Sequence, residues 1–225
     1  SKITALILIG GDMEKDSKRG SALISAIKSD SVVDLSKEYA ECGLDMLIDS
    51  DVLKEIPFIN TAVGIFSAVG SVRDYIFTEK LIRFLTQFSD LPKSERVTMV
   101  DKLNEDDKFS GKAGARIIEI IDRMESENKP ELAANFFKSF SREEINFSEF
   151  RRVLVSLERI PSFDIPELSA FSTCDISEAL KLDQSLLLSF VNAGLGQNNG
   201  GFDGGAILPT KLCEIFVTSG KLKTK

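Results

Sequence analysis

The sequence predicts a mainly α protein, a multi-helix bundle-like domain followed by a small C-terminal module. Three observations carry that prediction. Apolar residues recur at spacings of three and four over most of the chain, the period of an amphipathic helix. Long alternating apolar–polar runs, which mark half-buried strands, are missing. The aromatic content is almost all phenylalanine, sixteen Phe against two Tyr and no Trp. Phe packs without needing a hydrogen-bond partner, so it suits dry contacts between helices.

From the N-terminus, residues 3–9 are apolar and β-branched enough for a buried strand, which Gly10-Gly11 ends; 12–20 read as a charged loop and 21–28 as a short helix. Val32, Leu35, Tyr39, Cys42 and Met46 then fall on one helical face, with Asp30 or Ser31 available to cap it. Leu81, Phe84, Leu85 and Phe88 form a second stripe. Asp90 and Pro92 start a helix carrying Val97, Val100 and Leu103. Ala113, Ile117, Ile120, Ile121 and Met124 form the next, with Arg116, Glu119 and Asp122 on its wet side. Pro130 opens a helix bearing Phe136, Phe137 and Phe140. Ser141 with Glu144, and Asn146 with Glu149, both have capping-box spacing. Phe147, Phe150, Val153, Leu154 and Leu157 line a further face that Pro161 stops. The predicted organisation is an N-terminal arm at 1–30, a helical domain at 31–165 and a module at 166–225.

Composition narrows the function. At 225 residues, 43% hydrophobic and 28% charged, the chain has the make-up of a globular protein with a real core. A net charge of −7 disfavours a protein that works mainly by gripping nucleic acid, because neutralising phosphates takes an excess of Lys and Arg. The three cysteines are far apart and no histidine is present, so zinc and haem ligation have almost no material; free thiols in a reducing cytoplasm are expected. No export signal is read in the short N-terminal apolar run.

Without histidine, the Ser-His-Asp and Cys-His nucleophile arrangements are excluded. The carboxylate pairs Glu119/Asp122 and Glu41/Asp45 sit among Lys and Arg, as solvated helix faces do. Gly10-Gly11-Asp12 lacks the Gly-Lys-Ser/Thr that a phosphate loop requires, and the acidic run from Asp101 puts Asp106 where a calcium loop needs glycine. No catalytic residue, cofactor or metal is therefore expected.

The most unusual stretch is Ile56–Val72, seventeen residues without a formal charge. A central buried helix explains it, since helices apolar all round are usually enclosed. The alternative is a segment that inserts into a membrane or meets a partner, with Ile56, Phe58, Ile65 and Phe66 as its contact residues.

Beyond Pro166 come a helix near Ile176–Lys181, a second at Gln184–Ala193, Gly194-Leu195, a glycine-rich turn at Asn198–Gly205, an extended Ala206–Pro209 and a helix at Lys211–Thr218. This order resembles a winged-helix module. Gly200-Gly201-Phe202-Asp203-Gly204-Gly205 would form the wing tip, with Phe202 and Asp203 as its contact residues. The would-be recognition helix at Gln184–Ala193 carries no Lys or Arg, so a protein contact is expected and DNA is not.

Val52-Leu53-Lys54-Glu55-Ile56-Pro57, Leu81–Leu85, Ile121-Asp122-Arg123, Lys129-Pro130 and Phe136-Phe137-Lys138 resemble a family of small bacterial helical proteins of unassigned function. The pattern of Thr210–Val217 is similar to the C-terminal module of abortive-infection proteins of the alpha type. That resemblance implies a bacterial cytoplasm and a role in phage defence, and it transfers no catalytic residue. The expected function is a non-enzymatic interaction or regulatory protein with a protein partner, self-association being left open. The alternatives are a membrane-acting effector using 56–72, and an enzyme with an unrecognised carboxylate site.

Overall fold

The computed structural model describes residues 19–48, 72–105, 112–125, 128–200 and 204–223. Among these the chain is mainly helical, with one small two-stranded sheet. The strand expected at 3–9 and the apolar segment at 56–71 lie outside the described residues. By packing, the chain divides into two compact units, one within residues 1–126 and one within 127–225. The boundaries expected from sequence were at 30 and 165.

The first unit contains α1 (19–28), α2 (Ser31–Ile48), α3 (Val72–Thr86), α4 (Lys93–Glu105) and α5 (Ala113–Arg123). Helix α3 packs on α2 and α5, and α4 packs on α5. The stripe expected on α3 is its core: Leu81, Phe84, Leu85 and Phe88 are all buried, as are Ala113, Ile117, Ile121 and Met124. Removing each such large side chain from water contributes about 1.5–3 kcal/mol. Helices α1 and α5 cross at a pair of glycines. A Cβ on Gly20 would lie 2.6 Å from the Ala115 nitrogen, and one on Gly114 would fall onto the Gly20 carbonyl.

The expected stripe on α2 holds only in its first half. Val32 and Leu35 are buried, whereas Met46 is exposed. The cause is Gly43, whose φ of 72° and ψ of 178° interrupt the helix and rotate its last turn out of phase. Asp30 places its carboxylate on Arg96 and Lys93, at 3.3 Å each. Arg96 is itself buried and donates to the carbonyls of Ile27, Leu91 and Ser29, so it ties the end of α1 to the start of α4.

The second unit contains α6 (Lys129–Ser141), α7 (Phe147–Arg159), a 3-10 turn (Ser162–Glu167), α8 (Leu168–Phe171), α9 (Ile176–Ala179), α10 (Gln184–Asn192), β1 (Gly196–Asn198), β2 (Ile207–Pro209) and α11 (Lys211–Gly220). The capping box at Asn146 and Glu149 starts α7, with reciprocal bonds of 3.0 and 2.9 Å. Ser141 and Glu144 do not form the box their spacing allows. Ser141 is the last residue of α6, and Glu144 instead reaches the Ser139 hydroxyl at 2.7 Å. The chain turns there through a left-handed Glu143, whose successor's N–H donates to the Ser139 carbonyl.

Phenylalanines fill the space between α6 and α7: Phe137 meets Phe150 edge-on at 4.8 Å, and Phe140 stacks on Phe150 at 4.9 Å. Helix α11 packs against α6, α7, α8 and β2. Its Phe216 meets Phe136 at 4.9 Å, and the Asn135 amide donates to the Gly220 carbonyl at 3.0 Å. One core therefore serves the helical hairpin α6–α7 and the C-terminal elements together.

Candidate interaction face

Helices α9 and α10 are short and are fixed at their ends by side chains. Asp175 and Glu178 form a capping box on α9, and Asp183 caps α10 by accepting from the Leu186 N–H at 3.0 Å. Gly194, at φ 76°, closes α10, with the Leu195 N–H donating to the Phe190 carbonyl at 2.8 Å. A residue with a Cβ is strained there, which is what the Gly194-Leu195 pair signals in the sequence. Inside the unit, Leu187 and Phe190 are buried, and Phe190 lies 4.6 Å from Phe171.

Strands β1 and β2 pair antiparallel, with Gly196 opposite Pro209 and Asn198 opposite Ile207. The hairpin leaves by Thr210, whose N–H donates to the Leu195 carbonyl and whose hydroxyl lies 3.0 Å from the Gly194 carbonyl. Thr210 also caps α11. Towards the tip, Asn198 bonds to the Gly200 N–H and the Gly204 carbonyl, and Asn199 to the Ala206 N–H. A Cβ on Gly205, at φ 69°, would meet the Asn198 side-chain oxygen at 2.5 Å. The contact residues expected at the tip, Phe202 and Asp203, lie outside the described residues. So do Ile56, Phe58, Ile65 and Phe66.

What the structure adds is an exposed apolar surface on α9, on Leu180 that closes it, and on α10. Leu180 is 67% exposed, Leu188 51%, Ile176 50% and Val191 36%. Sequence periodicity gave no warning of these four, because a leucine at helical spacing reads as core. The signal available was that α10 is apolar on more sides than one helix can bury in so small a unit.

The thiols of this unit are poor nucleophiles. Burial, aided by Cys174 and Glu214, pushes the Cys213 thiol up to about 12. Cys174 is also raised, by burial and then by Glu178 and Asp175. Neither carries appreciable thiolate at neutral pH. The Glu119 carboxylate is paired with Arg116 and Arg123 on an open helix face, at 2.7 Å each. Among the described residues no group of three or more His, Cys, Asp or Glu could hold a metal ion, and no helix is long and apolar enough to cross a membrane.

A scan against protein-family models finds no match, and searches of curated proteins and of solved structures return none either.

Proposed function

We propose that this is a non-enzymatic interaction protein whose C-terminal part, winged-helix-like in the order of its elements, contacts a protein rather than DNA. The observation that carries the reading is the outward side of α10. Gln184, Ser185, Leu188, Val191 and Asn192 are all exposed there, and none is charged. A helix that enters a DNA groove is positioned by phosphate contacts from basic side chains. A helix with two exposed aliphatic side chains and no charge suits the desolvated centre of a protein interface. The absence of histidine from the whole chain supports the non-enzymatic part of the reading. Phage defence is the setting that the resemblance of Thr210–Val217 suggests.

Purification of the tagged chain from the cells that make it, followed by reconstitution from purified components, tests the proposal. A protein recovered at fixed stoichiometry that rebinds in isolation supports it. Recovery of the chain alone from cross-linked cells, or tight salt-sensitive binding to duplex DNA, refutes it.

A further inference from the structure

We propose that the α9–α10 face binds an apolar segment flanked by Lys or Arg, such as an amphipathic helix with a basic border. This names the partner chemistry for the interaction function above and rests on it. Leu180, the residue that closes α9, donates its N–H to the Ile176 carbonyl at 3.1 Å, and Leu188 and Val191 are three apart on α10, so each pair shares one side of its helical turn. The two helices pack on neighbouring strands of the same hairpin, α9 on β2 and α10 on β1.

Gly196 makes the join. A Cβ there would lie 3.0 Å from Ile207 Cγ2 and 3.4 Å from Val191 Cγ2, so the apolar edge of α10 runs directly into β2. The face is preorganised, because capping side chains hold both helices and Leu187 and Phe190 anchor α10 from beneath. A partner therefore orders little of it on binding.

Charge selects the occupant. Between residues 171 and 200 the acids are Asp175, Glu178 and Asp183, and the sole base is Lys181. All four are exposed. Face-to-face pairing of two copies would bring these carboxylates together, and phosphate or an anionic lipid surface would be repelled. A partner with basic residues beside its apolar anchors meets both parts of the surface at once.

The test uses the full chain and a displayed library of 20-residue helix-forming peptides, varied at anchor and flanking positions. Enriched peptides should carry aliphatic or aromatic anchors and a net positive charge. Their affinity, read by fluorescence anisotropy, should fall at least about tenfold in the double variant L188E/V191E, as for residues at the centre of an interface. It should weaken in E178Q, strengthen in K181E and decline as salt is raised. V155E, which alters an exposed apolar residue on α7, should bind as wild type and controls for non-specific effects. Circular dichroism confirms that each variant is folded.

No enrichment, enrichment of acid-flanked peptides, or equal binding by L188E/V191E overturns the proposal. So does binding of duplex DNA or anionic vesicles through these residues. If a native partner is recovered equally with L188E/V191E, this face is wrong while the interaction function stands. If the unaltered chain recovers no partner, the function itself has failed.

Discussion

Replacing Arg96 by Met should unfold the first unit more readily, through lost carbonyl contacts rather than a lost ion pair. Arg96 is 1% exposed, and its guanidinium donates to the carbonyls of Leu91 at 2.6 Å, Ile27 at 2.8 Å and Ser29 at 2.9 Å. Its carboxylate partner is Asp30, at 3.3 Å, whose side chain is 71% exposed. Hydrogen bonds from a charged donor contribute about 1.5–3 kcal/mol each. Met keeps the volume of the aliphatic stem and the Ser29 carbonyl is only part-buried, so the sum overstates the loss. A net cost of about 3–5 kcal/mol is expected, because the buried Ile27 and Leu91 carbonyls each lose this donor at about 1–3 kcal/mol and the Ser29 bond adds a smaller part. Asp30→Asn should cost less than about 1 kcal/mol, as exposed pairs do. The chain has no Trp, and both tyrosines, Tyr39 and Tyr75, lie in the first unit, so tyrosine fluorescence in urea follows that unit by itself. With a slope of about 1–3 kcal/mol per molar urea, R96M should lower the midpoint by roughly 1 M or more. A D30N variant as damaged as R96M, or an unchanged midpoint in R96M, refutes this account of Arg96.

Gly114→Ala should destabilise the same unit by about 1–3 kcal/mol, because its Cβ would overlap the Gly20 backbone and neither helix can yield cheaply; the tyrosine transition reads this directly. Asn146→Ala removes the acceptor of a capping box and should cost about 0.5–2 kcal/mol in the second unit, measured by circular dichroism in urea. Asp175 has its carboxyl held below the ordinary 3.8, chiefly by the Glu178 N–H and then by Ser177. A lowered folded value means its stabilisation is complete above 3.8 and disappears as pH falls through the folded value. Acid titration of the second unit should show that loss, and Asp175→Asn, which still caps, should flatten it. Cys213, buried with its thiol near 12, should resist a disulfide reagent at pH 8 and react only at the rate at which the second unit opens.

The first half of α2, the stripes of α3 and α5, and the Asn146 box were legible in the sequence because each depends on residues within one or two turns of one another. A 3.6-residue period and a side chain reaching its own helix start are local facts, and no distant part of the chain has to be known. Ser141 and Glu144 have the spacing of a box without forming one, since spacing cannot say which residue ends the preceding helix. Met46 is exposed although the stripe runs on through Gly43 in the sequence, because nothing local fixes the positive φ that this glycine adopts. Arg96 stands at stripe spacing with Met99, Val100 and Leu103, a signal that could have marked it as buried.

By itself, then, the sequence determined that the protein is mainly helical, where several of its helices begin or end, and which sides of them are apolar. Tertiary structure decided which apolar sides are covered. Phe136, Phe137 and Phe150 face other elements, while Ile176, Leu180, Leu188 and Val191, no less hydrophobic, face solvent. Periodicity records how much surface a helix offers for burial. Whether a second element arrives to bury it depends on contacts between residues far apart in the chain, such as those of α11 with α6 and α7, and no local pattern encodes them.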